Sequence, residues 1–168
     1  QAIDKVAQAG IARTFQNLRL FNEMSVLENV MVGCHVRTRN GLWAAIARHR
    51  RAREEEQAVR DKSHALLEYV GIGQFAHYRA GDLAYGHQRR LEIARALATE
   101  PRLLALDEPA AGMNAGEKVA LRELLLRIRD SGKTLLLIEH DVKLVMGLCD
   151  RLTVLDYGKA IAEGEPAQ

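Results

Sequence analysis

The sequence predicts an α/β fold built around a parallel β-sheet, and three features of its second half carry this prediction. Two continuous apolar runs, Leu-Leu-Ala-Leu at residues 103–106 and Leu-Leu-Leu-Ile at residues 135–138, are typical of parallel strands covered on both faces. Each run ends directly in acidic residues. Strand-like and helix-like segments alternate after Pro101, as they do in α/β layer structures.

The first part of the chain predicts one short strand followed by helices. Residues 11–15 have the composition of a strand. Ser25 and Glu28 have the spacing of a capping box, in which the side chain of each residue accepts a hydrogen bond from the backbone amide of the other, and the helix that follows should end near Gly33. No strand alternation is visible in residues 18–99, which therefore predict a largely helical region.

Two longer helices follow in this region. Residues 49–69 predict a charged helix whose arginines and glutamates, at i,i+4 spacing, are typical of a solvated face. Trp43 and Ile46 lie just before it beside several arginines, and contact with anionic lipid is the alternative to a charged helix face. A further helix begins near Gly86, and Pro101 marks the return to the sheet.

The remaining elements complete the α/β alternation. Helices are predicted at residues 116–130 and 142–148, with a strand at residues 152–155. Residues 156–159 (Asp-Tyr-Gly-Lys) predict a turn into a final strand pair.

Composition excludes several classes of protein. The chain has 168 residues, 48% of them hydrophobic, and a net charge of +2 that gives no reason to expect nucleic acid binding. Cys34 and Cys149 lie far apart without metal-ligand spacing, so we interpret them as reduced cytosolic thiols. No apolar run approaches the ~20 residues of a membrane span, and no signal peptide is evident.

Chemically active side chains follow both apolar strands. Asp107 and Glu108 come directly after the first strand, and Glu139, His140 and Asp141 follow the second. Ligands and catalytic groups of open α/β sheets collect beyond the carboxyl ends of the strands. The pattern therefore predicts a phosphoryl-transfer site, although ordinary core strands with polar ends remain the alternative.

Four motifs give the sequence a family resemblance. They are Thr-Phe-Gln-Asn at residues 14–17, Leu-Ala-Tyr-Gly-His-Gln-Arg-Arg at 83–90, Leu-Asp-Glu-Pro at 106–109 and Ile-Glu-His-Asp at 138–141. In this order they resemble the ATP-binding subunits of ABC transporters, and most closely those of branched-chain amino acid importers. The resemblance implies a P-loop NTPase-type (RecA-like) parallel-sheet core with an inserted helical subdomain.

The resemblance also divides the chain into three parts. Residues 1–17 would be ATPase core leading into the Q-loop, residues 18–100 the helical subdomain with the signature motif, and residues 101–168 core with the Walker B motif, D-loop and H-loop.

No P-loop is present, because the Gly-Lys-Thr at residues 132–134 precedes a strand instead of following one. A Gly-x-Gly-x-x-Ala pattern at residues 71–76 follows a helix and is likewise no dinucleotide fingerprint. We therefore expect a fragment that lacks the N-terminal part of the core and is inactive alone.

The resemblance implies roles for four residues. Asp107 would help to hold Mg²⁺ with ATP, and Glu108 would polarise the attacking water as catalytic base. Gln16 would sense Mg²⁺ and the γ-phosphate, and His140 would hydrogen-bond the γ-phosphate. The structural alternatives are a helix cap at the strand end, a surface glutamine and a structural histidine.

The signature segment and the D-loop depart from the usual family pattern. Where the family has Leu-Ser-Gly-Gly-Gln, this chain has Leu83 followed by the predicted nucleotide contacts, namely Ala84, Tyr85, Gly86, His87 and Gln88. By resemblance, this helix start faces the γ-phosphate held by the opposite subunit, and Ala84 cannot supply the serine hydroxyl. Gly112 and Asn114 occupy the D-loop, with Asn114 where an aspartate is usual.

The partners follow from the same resemblance. Arg19, Phe21 and Glu23 would border the groove that receives a coupling helix from a transmembrane subunit, with subdomain core as the alternative. The implied partners are a second ATP-binding subunit, identical or different, the permease subunits and, indirectly, a substrate-binding protein. The implied function is ATP hydrolysis coupled to amino acid uptake, most closely of a branched-chain amino acid, at the cytoplasmic face of the membrane.

Two other function classes remain open. The first is an ABC-type ATPase outside transport, acting in chromosome maintenance or translation, although residues 18–99 lack the sustained heptads of a coiled-coil insertion. The second is an interaction module without catalysis, should the P-loop be truly absent.

Overall fold

The computed structural model describes residues 3–34 and 50–166. Trp43 and Ile46 lie outside the described residues, as does the start of the charged helix predicted from residue 49. The described elements form one three-stranded parallel sheet with helices, and a separate two-stranded antiparallel ribbon.

The three-stranded sheet has the order β1-β2-β3, with β1 at Ile11–Arg13, β2 at Leu103–Asp107 and β3 at Thr134–Ile138. Both neighbouring pairs are parallel, and Asp107 is paired with Ile138 at the carboxyl edge. The Thr14 amide donates to the Ala105 carbonyl oxygen, which continues the pairing one residue beyond β1. The parallel sheet predicted from the apolar runs is therefore confirmed.

Burial on both faces of these strands is not observed. Leu104 and Leu106 are buried, but their neighbours in β2 are half-buried, and Leu136 and Ile138 of β3 are each 52% exposed. The prediction of a fully covered β3 is wrong for this chain, because one face of that strand is left uncovered by the residues that the structure describes.

The helical region between β1 and β2 packs around the α4 helix. This region contains α2 at Val26–Cys34, α3 at Arg50–Tyr69 and α4 at Tyr85–Ala98, with short 3-10 helices at Gly73–Phe75 and Ala80–Asp82. A further helix, α1 at Ile3–Gln8, precedes β1 and was not predicted from the sequence pattern. The helix α2 contacts both α3 and α4, and α4 also reaches β1. Its core residues include Val26, Leu67 and Leu91, all with no exposed surface.

Local signals in the sequence set the ends of these helices. The Ser25 amide donates to a Glu28 carboxyl oxygen at 2.7 Å and the Glu28 amide donates to Ser25 Oγ at 3.1 Å, which confirms the capping box. Gly71 ends α3 with φ +77°, a left-handed conformation that glycine adopts without steric cost. The Gly71–Ala76 segment is therefore a helix end, as its position in the sequence predicts.

The second half follows the predicted order of elements. It contains α5 at Ala115–Asp130, α6 at Val142–Met146, β4 at Leu152–Asp156 and β5 at Lys159–Gly164. Gly132, with φ +85°, closes α5 before β3 begins, so the Gly-Lys-Thr triplet lies before a strand as predicted. Among the helices of the described residues, none is long and apolar enough to cross a bilayer.

The β4–β5 turn gives a stability prediction. Tyr157 and Gly158 both have positive φ, +43° and +77°, and Tyr157 is fully exposed. Two-residue hairpin loops of this kind favour Asn-Gly. Tyr157→Asn should therefore stabilise the chain by on the order of 0.5–1 kcal/mol, because asparagine tolerates the left-handed region better. Thermal unfolding should show a rise of roughly 1–4 °C in Tm, and a fall in Tm would contradict this interpretation of the turn.

Candidate functional site

Three predicted site residues meet at the carboxyl edge of the parallel sheet. The Gln16 Nε2 group, just beyond β1, donates to Glu108 Oε2 at 2.8 Å. His140, just beyond β3, places its Nδ1 3.7 Å from Glu108 Oε1. The two oxygens of one carboxylate thus face groups from two other strand ends. The His140 side chain is 77% exposed and that of Glu108 is 29% exposed, so the cluster is open to solvent.

The backbone of Glu108 is held in an uncommon conformation. Its φ is +43°, in the left-handed region that costs a non-glycine residue roughly 1–2 kcal/mol. The Glu108 amide donates to the Ile138 carbonyl oxygen at 2.9 Å, and the Glu108 carbonyl oxygen accepts from Ala111 at 3.1 Å. These bonds on both sides fix the residue, and strain of this kind is common where a side chain must be aimed at a reacting group.

Asp107 lies beside the cluster and has the chemistry of a Mg²⁺ ligand. Its Oδ2 accepts from an Arg13 guanidinium nitrogen at 2.8 Å, and its side chain is 23% exposed. Among the described residues, no cluster of three or more His, Cys, Asp or Glu side chains could hold a metal ion by itself. Mg²⁺ keeps several waters and is usually bound through one or two carboxylates and phosphate oxygens, so Asp107 and the Gln16 amide oxygen fit the ion.

Glu139 links the segments that follow β2 and β3, a role that the sequence analysis did not assign to it. Its Oε1 accepts from the Ala110 amide at 2.9 Å, and its Oε2 accepts from the His140 amide at 3.1 Å. The Asp141 amide also donates to Glu139 Oε2, at 3.4 Å. The carboxylate therefore fixes the backbone around His140 against the segment that follows Glu108. The sequence offered one signal, an acid between an apolar strand and a histidine.

Removing the Glu139 carboxylate should uncouple these two segments. Glu139→Ala leaves the Ala110 amide, on a residue that is 2% exposed, without an acceptor, and an unsatisfied buried donor costs about 1–3 kcal/mol. Glu139→Gln retains one acceptor oxygen and should cost less. Urea unfolding of both variants measures the difference. Equal stability of the alanine and glutamine variants would contradict the role of the carboxylate as an acceptor.

Asp141 begins the α6 helix beside His140. Its Oδ1 accepts from the Leu144 amide at 3.2 Å, and Lys118 Nζ donates to its Oδ2 at 2.6 Å. The hydrogen bond from Lys118 is the main cause that lowers the pKa of Asp141, and the same bond raises the pKa of Lys118. Since the folded pKa of Asp141 lies below its unfolded value, its contribution to stability is present above the ordinary carboxyl pKa and is lost as the pH falls through the folded pKa.

The predicted signature segment forms the start of α4. Ala84 is the exposed N-cap and makes no side-chain capping hydrogen bond. The amides of Tyr85 and Gly86 belong to the first turn, which has no intrahelical acceptors for them. The side chains of His87 and Gln88 are engaged within the chain: the His87 ring lies 4.8 Å from that of Phe75, and Gln88 Nε2 donates to the Ala80 carbonyl oxygen at 3.3 Å.

Gly86 is buried against the α5 helix. A Cβ atom added at Gly86 would lie 2.6 Å from Glu117 Oε1. A Gly86→Asp substitution would therefore displace the Glu117 side chain, which caps α5 through the Asn114 amide, and would set two carboxylates beside each other. It cannot serve as a clean test of contacts with a second subunit, and Ala84, which is exposed, is the better position.

The predicted D-loop residues make contacts within the same chain. Gly112 has φ +73°, and a Cβ atom there would lie 3.4 Å from the Tyr85 ring. Asn114 is the N-cap of α5: its Oδ1 accepts from the Glu117 amide at 3.0 Å, and Glu117 Oε2 accepts from the Asn114 amide at 2.9 Å. This capping box explains why a neutral amide is accommodated at residue 114.

The three predicted coupling residues are exposed, and Arg95 joins two of them, Arg19 and Phe21. The Arg95 guanidinium group donates to the Arg19 carbonyl oxygen and lies 5.6 Å from the centroid of the Phe21 ring, which is 48% exposed. Glu23 forms an ion pair with Arg79. We call the exposed side chains of Arg19, Phe21 and Glu23 the coupling surface. Because these three side chains are exposed, they do not belong to the core of the subdomain, which was the alternative for this segment.

The chain also matches the model of a known protein family. The family model described as "ABC transporter" matches residues 2–111 of the chain. A solved structure, the ADP conformation of an ATP-binding cassette of an ABC transporter, is similar to 98% of this chain with a TM-score of 0.79 and 32% sequence identity, and 64% of that structure is covered.

Curated relatives show the same similarity. The chain is 44% identical over 98% of its length to LivG of Escherichia coli K12, which is described as a high-affinity branched-chain amino acid transport ATP-binding protein. BraF of Pseudomonas aeruginosa, which carries the same description, is also 44% identical over 98% of the chain. The chain spans 65% of the length of each of these two relatives.

Proposed function

Because the chain belongs to the ABC transporter family of ATP-binding proteins, we propose that it is part of a subunit that couples ATP hydrolysis to the uptake of a branched-chain amino acid. The observation that carries this proposal is the contact of Gln16 and His140 with the two oxygens of Glu108. The substrate class is supported by relatives that are described as branched-chain amino acid transport proteins.

In the whole protein, the residues of this chain contribute to the hydrolytic step by positioning water. Glu108 is the base that orients and polarises a water molecule, while the Gln16 amide fixes one of its oxygens and leaves the other toward His140. The exposed His140 imidazole can donate to a γ-phosphate oxygen. When bound, Mg²⁺ neutralises charge that develops on the phosphates, and Asp107 and Gln16 are the residues that would hold it.

A second subunit is needed to complete this proposal. The first turn of α4 presents the Tyr85 and Gly86 amides and the positive end of a 14-residue helix, which is suited to an anion. We assign this turn to the γ-phosphate held by the opposite ATP-binding subunit, with Gly112 and Asn114 of the D-loop beside the same interface. The assembly can consist of two identical or two different subunits.

The coupling surface is assigned to the membrane-embedded partner. Its exposed phenylalanine, Phe21, is flanked by charged side chains, and a partner helix with an apolar side chain and complementary charges could cover this arrangement. We assign residues 18–100 to a helical subdomain that presents this surface to a permease, with residues 1–17 and 101–168 in the ATPase core. The subunit would then lie at the cytoplasmic face of the membrane, and a substrate-binding protein would act through the permease.

Stimulation of hydrolysis separates transport from the other functions of ABC-type ATPases. The whole protein is reconstituted in lipid vesicles with its permease, and phosphate release is measured with and without a binding protein loaded with leucine, isoleucine or valine. The proposal predicts faster hydrolysis with the loaded binding protein and no response to DNA or ribosomes. Stimulation by DNA or ribosomes without any response to the binding protein would exclude the transport function.

A further inference from the structure

A buried ion pair lies on the α4 helix directly after the signature segment. The side chains of Arg89 and Glu92 are 0% and 3% exposed, and Arg89 Nη1 donates to Glu92 Oε2 at 2.9 Å. Burial raises the pKa of the Glu92 carboxyl, and the neighbouring Arg89 charge opposes this shift. The sequence carried a weak signal for the pair, opposite charges at i,i+3 spacing, with Glu92 between the apolar residues Leu91 and Ile93.

The pair forms hydrogen bonds with the backbone on both sides of the Gln16 side chain. Arg89 donates to the Phe15 carbonyl oxygen at 2.7 Å and to the Gln16 carbonyl oxygen at 2.8 Å. The Phe15 amide in turn donates to Glu92 Oε1 at 3.5 Å. Arg89 and Glu92 therefore hold three backbone groups of the segment from which Gln16 extends toward Glu108.

The same arginine is tied to the start of its own helix. Its Nη2 nitrogen donates to the Tyr85 hydroxyl oxygen at 2.9 Å, and the guanidinium carbon lies 5.7 Å from the centroid of the Tyr85 ring. That ring also lies against Gly112. One guanidinium group therefore joins the first turn of α4 to the backbone of Gln16.

Stability of the fold alone does not explain why the buried ion pair has this arrangement. A buried ion pair repays the cost of desolvation only when its geometry is good and its remaining polar atoms are satisfied, and pairs like this are often no better than apolar residues. Arg89 Nε is buried without a hydrogen-bond partner among the described residues. The planar fork of arginine does, however, suit the simultaneous contact with two successive carbonyl oxygens.

We propose that Arg89 and Glu92 form a positioning link that fixes Gln16 relative to the Tyr85–Gly86 turn of the same subunit. The proposal rests on the assignment of Gln16 and Glu108 to ATP hydrolysis. Through this link, an anion that engages the first turn of α4 acts on the orientation of Gln16, and hence on the carboxylate of Glu108. Arg89 and Glu92 act through Gln16 and have no contact with the reacting atoms.

The test compares two neighbouring arginines of α4 in the whole protein. Arg89→Lys keeps the charge but loses the fork that reaches both carbonyl oxygens. Arg90→Lys is the matched control, because Arg90 donates instead to the Val70 carbonyl oxygen at the end of α3. We expect Arg89→Lys to lower kcat by about 10-fold or more without changing the Kd of ATP, since small misplacements of a positioning group are costly. Arg90→Lys should leave both quantities near those of the wild type.

A double-mutant cycle with Gln16→Ala separates positioning from a general loss of structure. If Arg89 acts through Gln16, Arg89→Lys should have little further effect on kcat in the Gln16→Ala background. Glu92→Gln keeps an acceptor for the Phe15 amide, so it should lower kcat by a smaller factor and should likewise have little further effect in the Gln16→Ala background. This variant replaces Arg89→Lys in the test if Arg89→Lys does not fold. Full additivity with Gln16→Ala, or an equal loss in Arg90→Lys, would overturn the proposal.

Hydrogen exchange gives a readout that does not depend on hydrolysis. The Phe15 amide should exchange faster in Arg89→Lys than in the wild type or in Arg90→Lys, because its acceptor Glu92 loses the partner that holds it. If the whole protein does not hydrolyse ATP, the proposed function fails, whereas faster exchange of this amide still supports the link. If hydrolysis is present and the exchange of Phe15 is unchanged, the link fails while the function stands.

Discussion

Glu108→Gln is expected to lower the kcat for ATP hydrolysis of the whole protein by about 10²-fold or more, the typical effect of losing a general base. The substitution keeps the size of the side chain and an oxygen that can accept from Gln16 Nε2, now 2.8 Å from Glu108 Oε2. It removes the negative charge that polarises the attacking water. The Kd of ATP should change little, because the role proposed for Glu108 is to polarise water and not to bind the phosphates.

Phosphate release under saturating ATP measures this effect, and Glu123→Gln is its matched control. Glu123 is an exposed acid on the α5 helix, so its amide variant carries the same change of charge at a distance from the strand ends. Wild-type turnover in Glu108→Gln would remove Glu108 from the role of catalytic base. An equal loss in Glu123→Gln would show that the effect is one of net charge.

Ala84→Asp is expected to abolish ATP-driven association of two subunits while making the chain more stable. Ala84 is an exposed N-cap without a side-chain capping bond, and aspartate at such a position typically adds about 1 kcal/mol to the stability of a helix. The same carboxylate would stand where the γ-phosphate of the opposite subunit is expected, and two anions repel each other. Stability and association should therefore change in opposite directions, which a general disturbance of the fold cannot produce.

The control for this variant is Ala84→Ser, which supplies a capping oxygen without charge. It should also raise Tm, and it should allow association in ATP because the hydroxyl can donate to a phosphate oxygen. Analytical ultracentrifugation in the presence of ATP, with each variant also carrying Glu108→Gln to slow hydrolysis, measures the association. Association of the aspartate variant at wild-type ATP concentrations would mean that the first turn of α4 does not face the phosphate.

The sequence predicted those features that depend on local chemistry. Ser25 and Glu28 form a capping box because the residues of one turn suffice for it. The run at residues 135–138 forms a parallel strand because a short continuous apolar segment, bounded by turn residues, has few other uses. Gln16, Glu108 and His140 meet because parallel strands end at the same edge of a sheet.

Other features lay outside what the pattern could specify. The contact of Arg89 with Phe15 joins residues that are 74 positions apart, so no local spacing encodes it. Hydrophobicity predicts that a strand has apolar faces but not what covers them, which is why the exposure of Leu136 was not predicted. The positive φ of Glu108 depends on hydrogen bonds to the end of β3 and to Ala111. The capping role of Asn114 was missed because its position was interpreted only through the family resemblance.

ATP-dependent uptake of labelled leucine into vesicles tests the central claim most directly, namely that hydrolysis at the Glu108 cluster drives import. The vesicles contain the whole protein with its permease. ATP is supplied on the proposed cytoplasmic side of the membrane, and leucine with its binding protein is supplied on the opposite side. The account predicts accumulation against a gradient that requires Mg-ATP and that falls by about 10²-fold in initial rate for Glu108→Gln. Accumulation at the same rate in wild type and Glu108→Gln, or accumulation that continues without ATP, would contradict it.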